Sequence, residues 1–182
     1  MNPNPPAISL PLTPAVIRSL RAGQMLELSG SMLVGRDAAH QRLVESIKTQ
    51  SIPPVPLNNQ TIFYMGPTPA PPGHCIGSAG PTTSSRMDPM TLPLLEAGLR
   101  GMIGKGRRSP EVTAAIRQWQ AVYFVAIGGI AALLSRHIVD YRVILYPELG
   151  PEALAEIQVR HFPVLVAIDC GGNSVYPDFP VT

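Results

Sequence analysis

Between positions 66 and 108 the chain reads Gly66-Pro67-Thr68-Pro69-Ala70-Pro71-Pro72-Gly73, then Gly80-Pro81-Thr82-Thr83-Ser84-Ser85-Arg86-Met87-Asp88, then Gly101-Met102-Ile103-Gly104-Lys105-Gly106-Arg107-Arg108. The first run is a loop of fixed φ angles, the second the approach to a helix, the third a short strand ending in cations. Four successive hydroxyl residues, Thr82 to Ser85, stand between a Gly-Pro turn and an arginine. Backbone amides, hydroxyls and cations all need partners once they leave water. The stretch therefore reads as a receptor for a negatively charged ligand, and the rest of the chain as its frame.

Asp88-Pro89 opens a helix running to Gly98, and Pro93 inside it moves the expected regular start to near Thr91. Hydroxyls and amides converging before a helix make a nest for a carboxylate or phosphate. Arg86 adds a fork that binds a carboxylate through two parallel hydrogen bonds. Ordinary capping is the structural alternative, but one cap accounts for one hydroxyl, not four. Lys105 ends the strand Gly101–Gly104, and Ser109-Pro110-Glu111 begins a helix to Trp119. The Gly-x-x-x-x-Gly-Lys-Ser/Thr spacing of a P-loop is missing.

Working outward, Ala7–Leu10 is a short strand, and Thr13-Pro14 is an N-cap followed by proline at the first helical position. Gln24–Ser29 alternates polar and apolar as a half-buried strand does. Gly30-Ser31 is expected to turn, with Met32–Val34 returning as a hairpin. Asp37 is the expected N-cap of a helix from Ala38 to about Lys48, with Ala39, Leu43, Val44 and Ile47 on one face. Arg36 then sits at a strand-to-helix junction, where guanidinium and terminal amides favour an anion. A surface pairing with Asp37 or Glu45 is the alternative. Thr61–Met65 and Val122–Ile127 are buried strands, Gly129–Leu134 a tightly packed helix, and Val139–Tyr146 an alternating strand. Pro151–Glu156 reads as a short helix and Phe162–Asp169 as a last buried strand. A hairpin-type turn at Gly171-Gly172-Asn173 then returns through Ser174–Tyr176. The order, strand-rich first and alternating later, predicts a mixed α/β (α+β) fold. It is a strand-rich, barrel-like layer with helices on one side rather than a doubly wound parallel sheet.

Composition narrows the function. At 182 residues the chain is expected to form a single domain, 1–182, and needs no disulfide to fold. A net charge of +2 is too small to argue for nucleic acid. Charged residues make up only 14%, a bland surface that suits a chain covering part of itself with another protein. The apolar run Ala121–Leu134 is too short to span a bilayer, and Met1–Leu12 lacks a basic n-region, so a cytoplasmic protein is expected. His74-Cys75 invites a nucleophilic reading, but neighbours in an extended chain point apart and no orienting third residue is visible.

The segments Gly35-Arg36-Asp37-Ala38-Ala39-His40, Gly66-Pro67-Thr68, Gly80 to Asp88, Gly104-Lys105-Gly106, Gly128-Gly129-Ile130-Ala131-Ala132-Leu133-Leu134 and Phe162-Pro163-Val164 through Asn173-Ser174 together resemble a known family. It is the C-terminal domain, or separate β subunit, of class I iron–sulfur-dependent fumarate hydratases. The L-tartrate dehydratase β subunit is also similar. The resemblance implies a swivelling β/β/α domain and a hydro-lyase converting fumarate and (S)-malate. It further implies a 4Fe–4S cluster held by cysteines of a partner α subunit, in an αβ hetero-oligomer; the isolated chain is a candidate homodimer. By position, Arg36, Thr82, Thr83, Arg86 and Lys105 resemble the residues that bind the dicarboxylate, and Thr82 resembles the threonine assigned a proton-transfer role. A threonine hydroxyl is a poor base unless cations and amides stabilise its alkoxide, so a positioning role is the alternative. Tartrate in place of fumarate, and a non-catalytic anion-binding module of the same fold, are the competing functions. Arg108 has no clear counterpart in the resemblance.

Overall fold

A computed structural model describes residues 5–126 and 131–177. Seven strands form one sheet: β1 (Ala7–Ser9), β2 (Met25–Val34), β3 (Thr61–Phe63), β4 (Gly101–Gly104), β5 (Val122–Ala126), β6 (Ile138–Leu145) and β7 (Leu154–Ile168). The helices are α1 (Pro14–Ser19), α2 (Asp37–Gln50), α3 (Asp88–Glu96), α4 (Pro110–Gln118) and α5 (Ala131–Ser135). The strand order is β1-β2-β3-β4-β5-β7-β6, and β7 also pairs with β2, so the sheet closes on itself. β1 to β5 run parallel to one another, whereas β7 is antiparallel to β2, β5 and β6.

Parallel strands need crossover connections, and α2, α3 and α4 supply them between β2, β3, β4 and β5. That arrangement covers both faces, and every residue of β3 and β4 is buried. Alternation then sorts the side chains. Phe63, Ile103, Val122 and Phe124 face the barrel interior with Leu26, Leu28, Phe162, Val164 and Val166. Ile62, Tyr64, Met102 and Tyr123 face Leu43, Leu94, Leu95 and Ile116 of the helices. The mixed α/β reading, a barrel-like sheet with helices, is the observed architecture. Among the described residues no helix is long and apolar enough to cross a membrane.

Several local expectations are corrected. Gly30-Ser31 is not a hairpin turn: β2 runs unbroken through it, with a register shift against β7 between Leu28 and Gly30. Gly30 takes φ +127° and lies so close to Leu10 that an added Cβ would meet its carbonyl oxygen at 2.8 Å. α3 begins at Asp88 rather than Thr91, because Pro89 falls in the first turn where no N–H is needed. Pro151–Glu156 is not a helix. Pro147–Glu152 forms 3-10 turns, and β7 starts at Leu154 because β6 and β2 flank it there. After Asn173 the expected return is a single bridge, Ile168 to Ser174. The expected helix from Gly129 is described only from Ala131, and Gly128-Gly129-Ile130 lie outside the described residues.

Candidate functional site

All five residues expected to bind ligand follow the carboxyl ends of parallel strands, the end at which parallel α/β barrels and sheets place their sites. Arg36 lies two residues beyond β2, and Lys105 directly after β4. Thr82, Thr83 and Arg86 lie on the connection from β3 to α3. Three backbone contacts fold that connection back onto the strand ends. Met65 bridges to Pro81, Thr82 N–H donates to the Tyr64 carbonyl at 2.6 Å, and Thr83 bridges to Lys105. Ser84 N–H continues the pairing, donating to the Lys105 carbonyl at 2.9 Å. Thr82 is buried, whereas Thr83, Arg86 and Lys105 are exposed. The hydroxyl row is thus the start of a 3-10 turn, Ser84–Met87, that leads into α3.

The start of α2 departs from expectation. Arg36, not Asp37, occupies the N-cap position, and its side chain makes no capping bond. The cap comes from Glu152, whose carboxylate accepts from Ala38 N–H at 3.0 Å and from the Arg36 guanidinium. Asp37 instead faces Arg86, with Nε–Oδ1 at 3.0 Å and Nη2–Oδ2 at 2.8 Å. Arg86 is therefore tied to the residue next to Arg36, and the two arginines share one neighbourhood. Arg36 also packs under Gly66, where a Cβ would come within 3.2 Å of Nε and 3.1 Å of the Pro151 carbonyl. His40 completes this corner. It is fully buried, its Nδ1 lies 2.9 Å from the Arg36 carbonyl, and its ring meets Tyr64 edge-on at 5.2 Å. A carbonyl only accepts, so Nδ1 carries the proton. Burial pulls the His40 pKa down to about 4, so the ring is neutral near pH 7.

Two ion pairs meet here, Arg36 with Glu152 and Arg86 with Asp37, and the backbone of Lys105 is tied to the same corner through Thr83 and Ser84. Arg36 is committed to Glu152 and half-buried. Arg86, with 53% of its side chain exposed, keeps guanidinium N–H groups beyond the two facing Asp37. Thr83 and Lys105 are exposed beside it, joined by their backbone bridge.

Beneath this surface lies a network that reading the sequence missed. The Arg108 side chain is fully buried. Nε donates to Asp88 Oδ1 at 2.6 Å, Nη2 to Thr91 Oγ1 at 2.7 Å and Nη1 to Tyr64 OH at 3.2 Å. The guanidinium also lies over the rings of Tyr64 and Tyr123, at 5.4 and 5.2 Å. Burial opposes the charge, but Tyr64 and Asp88 outweigh it and hold Arg108 more firmly protonated than usual. Tyr123 OH stands 2.9 Å from Ser84 Oγ and 2.8 Å from the Gly106 carbonyl. A phenol has one proton, which goes to the carbonyl, so Ser84 donates to the phenol oxygen in turn. Burial also pushes the Tyr123 pKa up, keeping that proton in place. The only hint in the sequence was a second arginine, Arg108, without an evident job.

His74 and Cys75 do not form a dyad. Nδ1 of His74 lies 3.1 Å from the Pro72 carbonyl, and Cys75 Sγ lies 3.5 Å from the Ile138 carbonyl. A cavity of about 800 Å³ between α4 and the Gly171–Asn173 turn is lined by Arg107, Arg117 and Tyr176, and by none of the five expected ligand-binding residues.

A closed sheet with parallel strands, crossover helices and a cationic, hydroxyl-bearing edge places the chain in one class. It belongs to the fumarase C-terminal family, whose model matches residues 7–179. It is 38% identical over 159 residues to the aerobic class I fumarate hydratase of Escherichia coli strain K12, covering 86% of this chain and 29% of that protein. It is 36% identical over 156 residues to fumarate hydratase 2 of Leishmania major, covering 85% and 28%. It is also 34% identical over 175 residues to the putative L(+)-tartrate dehydratase subunit beta of Methanocaldococcus jannaschii, covering 92% and 89%. The chain thus spans less than a third of the fumarate hydratases it matches and about nine-tenths of the tartrate dehydratase subunit.

The cluster implied by that family does not fit this chain's own side chains. There are two cysteines, Cys75 exposed and Cys170 buried, too few for a cysteine-held cluster. Among the described residues no group of three or more His, Cys, Asp or Glu is placed to hold a metal ion.

Proposed function

We propose that the chain is the dicarboxylate-binding β subunit of an iron–sulfur hydro-lyase that interconverts fumarate and (S)-malate. A partner α subunit carries the 4Fe–4S cluster, and the active site is completed at the contact between the two chains. One observation carries the reading: Arg36, Thr82, Thr83, Arg86 and Lys105 leave the same edge of the sheet, and contacts through Asp37, Tyr64 and the Thr83–Lys105 bridge link them. In this reading Arg86 and Lys105 hold the diacid and Thr83 adds a hydroxyl bond. Arg36 supplies positive potential from behind, because its Nη2 is paired with Glu152 and its Nε is buried. Thr82 lies buried beside them, where it orients the diacid or exchanges a proton with it. The residues here bind and orient; the metal chemistry belongs to the other chain. L-Tartrate is the second substrate reading, supported by the tartrate dehydratase relative, and it presents two carboxylates to the same cations.

The test is reconstitution. The chain is expected to co-purify with a cluster-bearing α chain, and hydratase activity to appear only in the mixture. Arg86→Ala should lower turnover with fumarate by about a hundredfold. Its pair with Asp37 is solvent-exposed, so stability should fall by no more than about 1 kcal/mol. Equal losses of folding and activity would overturn the assignment of Arg86. Turnover of tartrate but not fumarate by the mixture would select the second reading.

A further inference from the structure

We propose that Arg108 is a positioning residue that fixes, from below, the two segments carrying the ligand-binding groups; this rests on the dicarboxylate site proposed above. Three rungs join Thr82–Asp88 to Lys105–Ser109. The first is the Thr83–Lys105 bridge with Ser84 N–H on the Lys105 carbonyl. The second is Tyr123 OH, held between Ser84 Oγ and the Gly106 carbonyl. The third is Asp88, whose carboxylate takes Arg108 Nε on one oxygen and Ser109 N–H, at 2.7 Å, on the other.

Arg108 touches every part of this ladder except the first rung. Its guanidinium lies between Tyr64, which follows β3 and whose carbonyl holds Thr82, and Tyr123 of β5, which carries the second rung. It thereby sets the height of both tyrosines against Asp88. With its side chain fully buried, it cannot meet the diacid itself. Only a planar fork can satisfy Asp88, Thr91 and Tyr64 at once while its charge stays within cation–π reach of two rings. A lysine keeps the charge and loses that geometry. Gly104 shows how closely the segments are fitted, since a methyl there would overlap Ser84 Oγ.

The experiment titrates the chain, alone and with the α chain, with fumarate and follows backbone amide resonances in wild type, Arg108→Lys and Tyr123→Phe. Arg108→Lys should stay folded yet weaken fumarate binding by about tenfold or more. It should also shift or broaden the amides of Thr83, Ser84 and Gly106 before ligand is added. Tyr123→Phe should act in the same direction by less. Val164→Ala, which opens a cavity in the barrel-interior cluster rather than in the helix-side cluster that holds Tyr64 and Tyr123, controls for general destabilisation and should leave affinity within about twofold. Unchanged Thr83, Ser84 and Gly106 amides in both variants would overturn the proposal, as would fumarate affinity in Arg108→Lys no lower than in Val164→Ala. If the wild type binds no fumarate either alone or with the α chain, the dicarboxylate reading fails, and the amide signals still decide whether Arg108 holds the segments.

Discussion

Asp88→Asn tests the buried network most directly. Asp88 and Arg108 are 10% and 0% exposed at the side chain, and the carboxylate accepts two short hydrogen bonds, from Arg108 Nε and Ser109 N–H. An asparagine offers one oxygen and one NH2. Its oxygen can still face Arg108, but the NH2 then meets the Ser109 N–H, donor against donor. The guanidinium is left buried without a counter-charge. Removing one partner of a buried ion pair costs about 3–5 kcal/mol. The two ring faces offset part of this, so about 3 kcal/mol is expected. For a chain of 182 residues that is a fall of roughly 6–12 °C in melting temperature. Asp88 also sits in the first turn of α3, where a negative charge is worth about 0.3–1 kcal/mol on its own. A double-mutant cycle with Arg108→Met separates the two contributions, because the helix effect survives loss of Arg108 and the pair effect does not. Denaturant unfolding of the four proteins should give a coupling of about 2 kcal/mol. Additivity within about 0.5 kcal/mol, or an Asp88→Asn loss below about 1 kcal/mol, would refute the ion pair as the support of these segments.

Two more buried groups make testable contributions. His40 is buried and neutral with a pKa of about 4 against 6.5 when unfolded, so between those values the unfolded chain binds more protons and stability rises with pH. The contribution is fully present above about pH 6.5 and is lost as pH falls to about 4, a span worth on the order of 3 kcal/mol; His40→Asn should flatten the difference between melts at pH 7.5 and pH 5, and an unchanged difference would refute it. Gly104→Ala should destabilise by about 1–3 kcal/mol through overlap with Ser84 and Tyr64, and Ser84→Gly in the same chain should restore part of the loss; no rescue would show the crowding lies elsewhere.

Much of the fold could be read locally. Thr13 and Ser109 cap α1 and α4, accepting from Val16 N–H and Val112 N–H at 3.2 Å, as the Thr-Pro and Ser-Pro pairs predict. β3, β4 and β5 fall where apolar runs end in glycine or alternate, because burial on two faces leaves a mark within five residues. The candidate site was legible as a cationic, hydroxyl-rich stretch. The sequence did not show which carboxylates its arginines would meet: Arg36 finds Glu152, 116 residues away, and Arg86 finds Asp37, 49 residues away. Nor did it show that Gly30 would carry a strand onward rather than turn it, since that depends on β7 lying alongside.

Capping by Thr13 and Ser109, alternation and the hydroxyl row are decided by atoms a few residues apart, so the sequence alone determined most of the elements and the residue types at the edge of the sheet. The closure of β7 on β2, the cap lent by Glu152 and the burial of Arg108 between two tyrosines were decided only by the tertiary structure. Each brings distant charges or strands together, and the desolvation that makes such a meeting matter exists only once the barrel and its helices have excluded water.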